Sequence, residues 1–273
     1  MTPRCAIIAG SGSFPCHVAR EAKRQGLTVI GIGLQGWVDP SLAGAVDVYE
    51  EVAIGQLGRL IARLKAHEAR QAVMAGKVTK EILFDSRVQF DAEALGILAL
   101  AKGFSVSALL GAIGERLAKD GITLLDSSTF LKDSLCPVGT LTQRAPTPQE
   151  REDIRVGTEA ARRLAALDIG QTVVVKNRVV VAVEALEGTD ATLTRAGQVA
   201  GSELVVVKMA SPTQDMRFDL PILGLQTIAV AIACGVRCLA VEAHKTLLLD
   251  RARLLAQADQ AGLCLMGIEP SPA

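Results

Sequence analysis

The chain has 273 residues and equal numbers of basic and acidic side chains, 29 of each, so its formal net charge is zero. Balanced charge argues against a nucleic-acid-binding protein, which usually carries a basic excess. Aromatic residues make up 3% of the chain, which argues against stacking platforms for single strands. We see no signal peptide and no apolar run of membrane-spanning length, and therefore expect a soluble cytoplasmic protein without a nucleic-acid partner.

Cysteine usage fits the same compartment. Six cysteines and three histidines are scattered along the chain, and no Cys-x-x-Cys pair occurs. We interpret the cysteines as small buried hydrophobic residues in a reducing cytosol.

Strand and helix signals alternate through the first half. "RCAIIAG" (4–10) and "LTVIGIGL" (27–34) are typical of buried strands, and the helical segment between them ends at Gly26, a usual residue after a helix. A helical zone near 92–119 and the strand-like "GITLLDSS" (121–128) continue the alternation. The pattern predicts an N-terminal Rossmann-like domain over residues 1–134, with a parallel sheet covered by helices.

A proline-containing stretch without periodicity separates this half from the next. We predict a linker over residues 135–147 and a C-terminal catalytic α/β domain over 148–273. Thr147, with Glu150 three residues later, predicts a capped helix start. Two β-branched runs meet at Asn177-Arg178 and predict a β-hairpin.

Two loops of the first domain are candidates for ligand contacts. In "AGSGSFP" (9–15), Gly10 and Gly12 lie between a strand and a helix, as in a phosphate-cradling turn. Pro15 stands where a dinucleotide fingerprint has its third glycine, so a tight turn without a ligand is the alternative. Lys77 follows a strand, at the ligand-binding edge of an open sheet, although a solvated surface lysine explains it equally well.

The second domain offers an acidic turn after its hairpin. "EGTD" (187–190) predicts a turn into a helix, where Thr189 caps and the free amides could hold an anion. Acidic residues beside such amides fit a phosphate together with its metal. Plain capping accounts for Thr189 and Asp190, but not for Glu184 at the end of the hairpin.

A charged row occurs in "QDMRFDLP" (214–221). On an extended strand Asp215, Arg217 and Asp219 would share one face, and Phe218 the other. Carboxylates without His or Cys favour a hard cation such as Mg²⁺. The structural alternative is an ion pair between Arg217 and one of its neighbours. We interpret His244 as an ordinary loop histidine.

Seven motifs follow one another along nearly the whole chain: "IIAGSGSFP", "AGKV", "LDIGQ", "VEALEGTDA", "QDMRFDLP", "GLQT" and "VEAHKTLLLD". Together they resemble the UDP-2,3-diacylglucosamine pyrophosphatases of the LpxI type. The resemblance implies a two-domain α/β hydrolase of lipid A biosynthesis with a ligand cleft between the domains. The implied reaction splits UDP-2,3-diacylglucosamine into UMP and 2,3-diacylglucosamine 1-phosphate (lipid X), with Mg²⁺ or a similar divalent cation.

The resemblance also implies roles for individual residues. Asp219 matches the essential aspartate of the "R-x-DLP" motif, and the implied chemistry is attack of water at the β-phosphorus, next to the sugar. The implied catalytic residues are Asp219, Arg217 and Lys208, and the implied metal ligands are Asp219, Asp190 and Glu187. Implied substrate-binding residues are Ser11, Gly12, Gly76, Lys77, Gln171, Gly188, Thr189 and Gln214.

A substrate with two acyl chains implies a cytoplasmic enzyme in peripheral contact with the inner membrane. Association into a homodimer is compatible with the resemblance. Two departures from the family pattern loosen the substrate assignment: "GFSVSALL" (103–110) lacks an acidic pair, and Ser211 replaces a basic residue. Two domains around a ligand also predict hinge closure about the linker.

Rival interpretations are a pyrophosphatase or phosphoesterase acting on another nucleotide-linked substrate, and a non-catalytic nucleotide- or lipid-binding protein. The carboxylates disfavour the second, because acids beside phosphates need a bridging cation. An NAD(P) oxidoreductase is disfavoured because the glycine loop lacks its third glycine and its acidic partner.

Overall fold

A computed structural model describes residues 2–78, 88–100, 106–211 and 214–270. The chain divides into two compact units. The first consists of Met1–Lys132 together with Asp215–Asp219, and the second of Asp133–Gln214 together with Leu220–Ala273. Each unit is built around its own sheet, and the predicted α/β class is confirmed.

The first unit alternates strands and helices as predicted. Its elements are β1 (Arg4–Ala9), α1 (Phe14–Arg24), β2 (Thr28–Leu34), a 3₁₀ helix (Pro40–Gly44), β3 (Val48–Val52), α2 (Leu57–Ala66), β4 (Gln71–Ala75), α3 (Ala92–Leu100), α4 (Val106–Lys119) and β5 (Thr123–Leu124).

Its sheet has the order β3-β2-β1-β4-β5, and all neighbouring strands are parallel. The sequence pattern did not indicate β3, because the edge strand "VYEEV" offers no buried apolar run. The strand predicted within 121–128 is shorter than expected, since β5 pairs with β4 only at Thr123 and Leu124.

The core of the first unit fills the space between sheet and helices. Ile30 and Ile32 of β2 pack with Leu64 of α2 and Leu117 of α4, all fully buried or nearly so. Phe218 packs against the same cluster. A residue from the second half of the sequence therefore completes the apolar packing of the first unit.

The stretch 135–147, predicted as a linker, contributes a short strand to the second sheet. It follows a 3₁₀ turn (Lys132–Ser134), and its residues Gly139–Thr140 pair with the last strand of the chain. The elements are β6 (Gly139–Thr140), α5 (Pro148–Ala166), β7 (Thr172–Lys176), β8 (Val179–Val183), α6 (Thr189–Ala200), β9 (Leu204–Lys208), β10 (Ile222–Leu223), α7 (Leu225–Ala233), β11 (Val236–Glu242), β12 (Leu247–Leu248), α8 (Arg251–Gln260) and β13 (Cys264–Ile268).

The main sheet of this unit has the order β6-β13-β11-β9-β7-β8, and β10 pairs separately with β12. Strands β13, β11 and β9 are parallel, whereas β6, β7 and β8 each run antiparallel to a neighbour. The predicted hairpin is confirmed: Asn177 and Arg178 have φ angles of 49° and 64°, as a tight two-residue turn requires.

The start of α5 also agrees with its prediction. The Thr147 hydroxyl accepts the Glu150 amide, and the Glu150 carboxylate accepts the Thr147 amide, so the capping box is complete. Helix α5 packs on one face of the sheet, and α6, α7 and α8 pack on the other. All six cysteines are free thiols, and all but the half-buried Cys234 are buried, as expected for small apolar residues.

Candidate active site

The two glycine-containing loops of the first unit meet each other. The Ser11 amide donates to the Lys77 carbonyl and the Lys77 amide donates to the Ser11 carbonyl, each over 3.0 Å. The Ser11 hydroxyl also donates to the Lys77 carbonyl, over 2.8 Å. The sequence therefore predicted correctly that both loops lie at the carboxyl edge of the parallel strands.

Close backbone approach explains the glycines at this contact. A Cβ atom on Gly10 would lie 2.7 Å from the Lys77 carbonyl oxygen, and one on Gly76 would lie 2.7 Å from the Gly10 carbonyl carbon. Because the amides of Gly10 and Ser11 already donate to backbone carbonyls, they are not free to cradle a phosphate. An anion at this turn would therefore have to be bound by backbone amides from Gly12 onward, just before α1.

The charged segment 215–219 belongs to the first unit, although the sequence placed it in the C-terminal domain. The extended strand expected there is wrong, because residues 216–218 form a turn. The amides of Phe218 and Asp219 both donate to the Asp215 carbonyl, over 3.2 and 3.0 Å. The Asp215 carboxylate also accepts the Arg217 amide over 3.1 Å, so this aspartate favours its own turn over a strand.

Asp215 and Arg217 form the ion pair that was the structural alternative. The guanidinium donates to both carboxylate oxygens, with a shortest contact of 2.6 Å. These hydrogen bonds hold the pKa of Asp215 below its ordinary value of 3.8. Asp219, by contrast, is exposed. The two aspartates therefore differ in what they can do: Asp215 maintains the turn, and Asp219 is accessible from solvent.

A polar cluster lies at one end of the sheet in the second unit. Thr172 pairs with Lys208 in the β7–β9 ladder, so both lie at the carboxyl end of β9. The Lys208 ammonium donates to the Thr189 hydroxyl over 2.8 Å, and that hydroxyl donates to Glu184 over 3.0 Å. Sequence reasoning brought Thr189 and Lys208 forward as candidates, and the structure brings them together.

The same cluster explains the position of Glu184 after the hairpin. Its side chain is 12% exposed and that of Lys208 is 11% exposed, with 3.9 Å between the ammonium and Glu184 Oε2. Glu184 Oε2 is buried and has no hydrogen-bond partner among the residues that the structure describes. Desolvated charges stabilise a fold only when they are paired, so Lys208 and Glu184 depend on each other.

The "DIGQ" motif contacts the backbone of Glu184 and the residues after β9. A Cβ atom on Gly170 would lie 2.0 Å from the Glu184 carbonyl oxygen, so only glycine lets the two loops approach this closely. The Gln171 carbonyl accepts the Met209 amide over 2.9 Å. The Gln171 side chain donates to Gln214 over 3.3 Å, and Gln214 in turn accepts the Ser211 amide over 2.6 Å. Gln171 and Gln214 therefore connect Ser211, after β9, to the start of β7.

The acids predicted as metal ligands beside α6 have protein partners. Glu187 accepts Arg195 over 2.7 Å, and Asp190 accepts the Thr227 hydroxyl over 2.9 Å. Hydrogen bonds from its own backbone amide and from Arg195 lower the pKa of Glu187. Within the described ranges, no three His, Cys, Asp or Glu side chains group together as a metal site. Metal-binding carboxylates commonly keep hydrogen bonds of this kind, so Glu187 and Asp190 stay candidate ligands.

Gly188, predicted to contact substrate, precedes α6 with a φ of 83°, a conformation suited to glycine. The Thr189 hydroxyl does not cap the helix, in contrast to the capping role predicted for it, because it bonds Glu184 and Lys208 instead.

The sequence analysis missed two buried residues, one at the end of β11 and one in the turn after β5. Glu242, 1% exposed at the end of β11, accepts the Ala210 amide over 2.8 Å and pairs with Lys245 over 3.0 Å. Ser127, 2% exposed, contacts the segment 215–219. A buried acid inside the "VEAHK" motif was the available signal for Glu242. No sequence signal distinguishes Ser127 from other loop serines.

Among the helices in the described parts of the chain, none is long and apolar enough to span a bilayer.

The structural similarity of this chain to solved structures is low. The biotin carboxylase domain of Hydrogenobacter thermophilus 2-oxoglutarate carboxylase matches with a TM-score of 0.28 and 12% identity, over 73% of this chain and 42% of that chain. Glycinamide-RNase-transformylase T of Mycobacterium tuberculosis matches with a TM-score of 0.26 and 15% identity, over 66% and 44%. Scores this low support no conclusion about fold or function.

Family and sequence relationships are much closer. The model of the LpxI N-terminal domain matches residues 4–134, and that of the LpxI C-terminal domain matches residues 137–266. The UDP-2,3-diacylglucosamine pyrophosphatase LpxI of Caulobacter vibrioides is 32% identical over 282 residues, which cover 98% of this chain and 98% of that protein. The resemblance seen in the motifs is confirmed, and the chain belongs to the LpxI family.

Proposed function

We propose that this protein is a hydrolase that splits the pyrophosphate of UDP-2,3-diacylglucosamine into UMP and lipid X. The observation that carries the proposal is the 32% identity to the Caulobacter vibrioides pyrophosphatase over 98% of both chains. An alignment of this extent includes both units and every motif of the candidate site. Because this substrate carries two acyl chains, we place the enzyme in the cytoplasm, in peripheral contact with the inner membrane.

Asp219 has the catalytic role in this proposal. Its exposure supports the assignment, because the attacking water must reach the carboxylate from solvent. Asp219 accepts a hydrogen bond from that water and orients it toward the β-phosphorus. The new bond joins the water oxygen to this phosphorus while its bond to the bridging oxygen breaks. The bridging oxygen leaves with the uridine-side phosphate as UMP, and the water oxygen stays in the phosphate of lipid X.

Cationic side chains stabilise the charge on the phosphates. Lys208 and Arg217 are each hydrogen-bonded in the structure, Lys208 to Thr189 and Arg217 to Asp215, so their charges are held in defined positions. Preorganised cations of this kind stabilise charge that develops during phosphoryl transfer. Ser11, Gly12, Gly76 and Lys77 contact substrate in this proposal, together with Gln171, Gly188, Thr189 and Gln214.

Asp219, the exposed carboxylate of the segment 215–219, is the residue that would hold a divalent cation such as Mg²⁺ in this proposal. Mg²⁺ is commonly held by one or two carboxylates plus the phosphates of the substrate, which does not require a three-acid group. Glu187, which is also exposed, bonds Arg195, and Asp190, which is partly buried, bonds Thr227. When bound, the cation would neutralise phosphate charge and lower the pKa of water.

The first test compares two aspartates of one segment. We expect Asp219→Asn to lower kcat on UDP-2,3-diacylglucosamine by on the order of 10²–10³-fold, the scale of losing a group that acts in the transition state. Asp215→Asn keeps an oxygen that can accept the Arg217 amide, so we expect a loss below about tenfold with the turn preserved. UMP and lipid X are measured by mass spectrometry, with added Mg²⁺ and with a chelator.

The outcomes separate the proposal from its rivals. In ¹⁸O-labelled water the label should appear in lipid X, whereas label in UMP would mean attack at the other phosphorus. Equal losses in the two variants would remove Asp219 from its special role. If folded wild-type protein hydrolyses simple UDP-sugars but not the acylated substrate, the substrate assignment is wrong. Absence of any turnover would leave a nucleotide- or lipid-binding protein.

A further inference from the structure

Ser127 connects two distant parts of the first unit. Its hydroxyl oxygen lies 2.7 Å from the Met74 carbonyl oxygen at the end of β4 and 2.8 Å from the Arg217 carbonyl oxygen. Its amide donates to the Met216 carbonyl over 2.9 Å. The amide makes a full hydrogen bond to the turn at Met216, whereas the hydroxyl has one proton, which faces the Met74 and Arg217 carbonyl oxygens together. Ser127 therefore lies where the turn of the segment 215–219 meets a central strand of the sheet.

The loop that carries Ser127 is itself held rigidly. Asp126 accepts the Ser128 amide over 2.7 Å and the Ser128 hydroxyl over 2.6 Å. The Leu125 amide donates to the Ala72 carbonyl over 2.8 Å, which continues the β4–β5 ladder into the loop. The loop of Ser127 therefore has hydrogen bonds to the sheet and within itself, in addition to those with the segment 215–219.

Ser127 differs from the other attachments of this segment. Phe218 packs against the core and fixes the depth of the turn, but apolar contact is not directional. The guanidinium of Arg217 lies near Gly114 of α4, where an added Cβ atom would be 3.4 Å from Nη1. The contacts of Ser127, by contrast, are hydrogen bonds to the turn backbone, and they fix its direction because hydrogen bonds depend on angle as well as distance.

We propose that Ser127 is a positioning residue: it docks the segment 215–219 on the first unit and thereby sets where the Asp219 carboxylate points. This inference rests on the proposed function, in which Asp219 orients the attacking water. Ser127 touches no reacting atom in this assignment. It acts through the backbone of Met216 and Arg217, which lie within three residues of Asp219 in sequence.

The test uses Ser127→Ala beside Ser128→Ala. Ser128 is a neighbour buried to a similar degree, 4% against 2% exposed, but among the described residues its hydroxyl bonds Asp126 and not the segment 215–219. In full-length protein, amide hydrogen exchange followed by mass spectrometry should show faster exchange in peptides covering 214–221 for Ser127→Ala. The Ser128→Ala variant keeps the bond from the Ser128 amide to Asp126 and the bond from the Leu125 amide to Ala72, which hold the loop, so it should exchange there like the wild type.

Kinetics distinguish positioning from a structural role. For Ser127→Ala we expect kcat to fall by up to about 10²-fold with KM nearly unchanged, the effect of misplacing a catalytic group by about 1 Å. Ser127→Cys keeps a side chain of similar size with a weaker donor, so its kcat and its exchange should lie between those of wild type and Ser127→Ala. It also provides the same comparison if Ser127→Ala fails to fold.

Three results would overturn the inference. One is wild-type exchange across 214–221 in both Ser127 variants. Another is an equal effect of the Ser127 and Ser128 substitutions on exchange and on kcat. The third is a lowered melting temperature with unchanged kcat, which would make Ser127 structural only. If wild-type protein has no pyrophosphatase activity, the proposed function fails, while the exchange data still decide whether Ser127 docks the segment.

Discussion

The charged groups of the two units are held in opposite ways. In the first unit, Asp219 is exposed on a turn whose backbone is fixed by Ser127, and the neighbouring ion pair of Asp215 and Arg217 is partly exposed. In the second unit, Lys208 and Glu184 are almost completely buried and share the Thr189 hydroxyl. The first arrangement keeps a carboxylate accessible to water, whereas the second keeps a cation in place at the cost of desolvation.

This difference determines what substitutions should do. A buried pair responds strongly when one partner is removed, because the remaining charge has neither water nor a counterion. An exposed pair responds weakly, because solvent and salt screen it. Substitutions in the second unit should therefore affect stability, and those around Asp219 should affect turnover.

The largest stability effect is expected at the buried pair. Lys208→Met leaves Glu184 charged and buried, and we expect a loss of about 3 kcal/mol in the free energy of unfolding. Glu184→Gln in the same chain removes that charge, so the double variant should recover much of the loss. Urea unfolding of the wild type, both single variants and the double variant measures the coupling.

The same set of variants separates stability from activity. Because Lys208 acts on phosphate charge in the proposed function, kcat/KM should stay low in the double variant even where stability returns. Additive stability losses would show that Lys208 and Glu184 do not depend on each other. Full recovery of kcat/KM in the double variant would remove Lys208 from the reaction.

A smaller effect is expected where backbone contact supports this pair. Gly170→Ala places a Cβ atom 2.0 Å from the Glu184 carbonyl oxygen unless the loops move apart. Overpacking of this kind costs about 1–3 kcal/mol of stability. Thermal unfolding measures the loss. The control is Gly224→Ala at the start of α7, where nothing lies within 4 Å of the added Cβ and the cost should stay below about 1 kcal/mol. Equal losses in both variants would contradict the close-approach explanation.

Local patterns predicted much of this architecture because their physical causes are local. The hairpin at Asn177 and Arg178 and the capping box of α5 depend on residues only a few positions apart, and both occur as expected. The apolar runs of β1 and β2 indicated a parallel sheet for the same reason. The edge strand β3 has no such run and was missed.

The candidate site was only partly predictable, because its contacts join distant residues. The alternating charges of 215–219 are compatible with a strand as well as with a turn. The hydrogen bond from the Arg217 amide to the Asp215 side chain favours the turn. Ser127 meets Arg217 across 90 positions, and Thr172 meets Lys208 across 36. Loop motifs indicated Thr189 and Lys208 separately, but they could not show that Thr189 bonds Lys208 and Glu184 instead of capping α6.

The smallest expected effect concerns the exposed pair and its pH dependence. Arg217 lowers the pKa of Asp215 in the folded protein, so the pair stabilises the fold above the unfolded value of 3.8. That stabilisation is lost as pH falls below 3.8 through the folded pKa, because the carboxyl group then binds a proton. In Arg217→Gln the titration midpoint of Asp215 should move up toward 3.8.

Carboxyl-carbon NMR titration measures this midpoint directly in folded protein. Asp39 provides the internal control, because hydrogen bonds from Ser41 lower its pKa in a different part of the first unit, and its midpoint should not change in Arg217→Gln. Since both partners are partly exposed, added salt should also reduce the difference between wild type and variant. An Asp215 midpoint that is the same in both proteins would mean that Arg217 does not hold this carboxylate in solution. The turn that presents Asp219 would then depend more strongly on its backbone hydrogen bonds to Asp215, on Phe218 and on Ser127, which would increase the effect expected for Ser127→Ala.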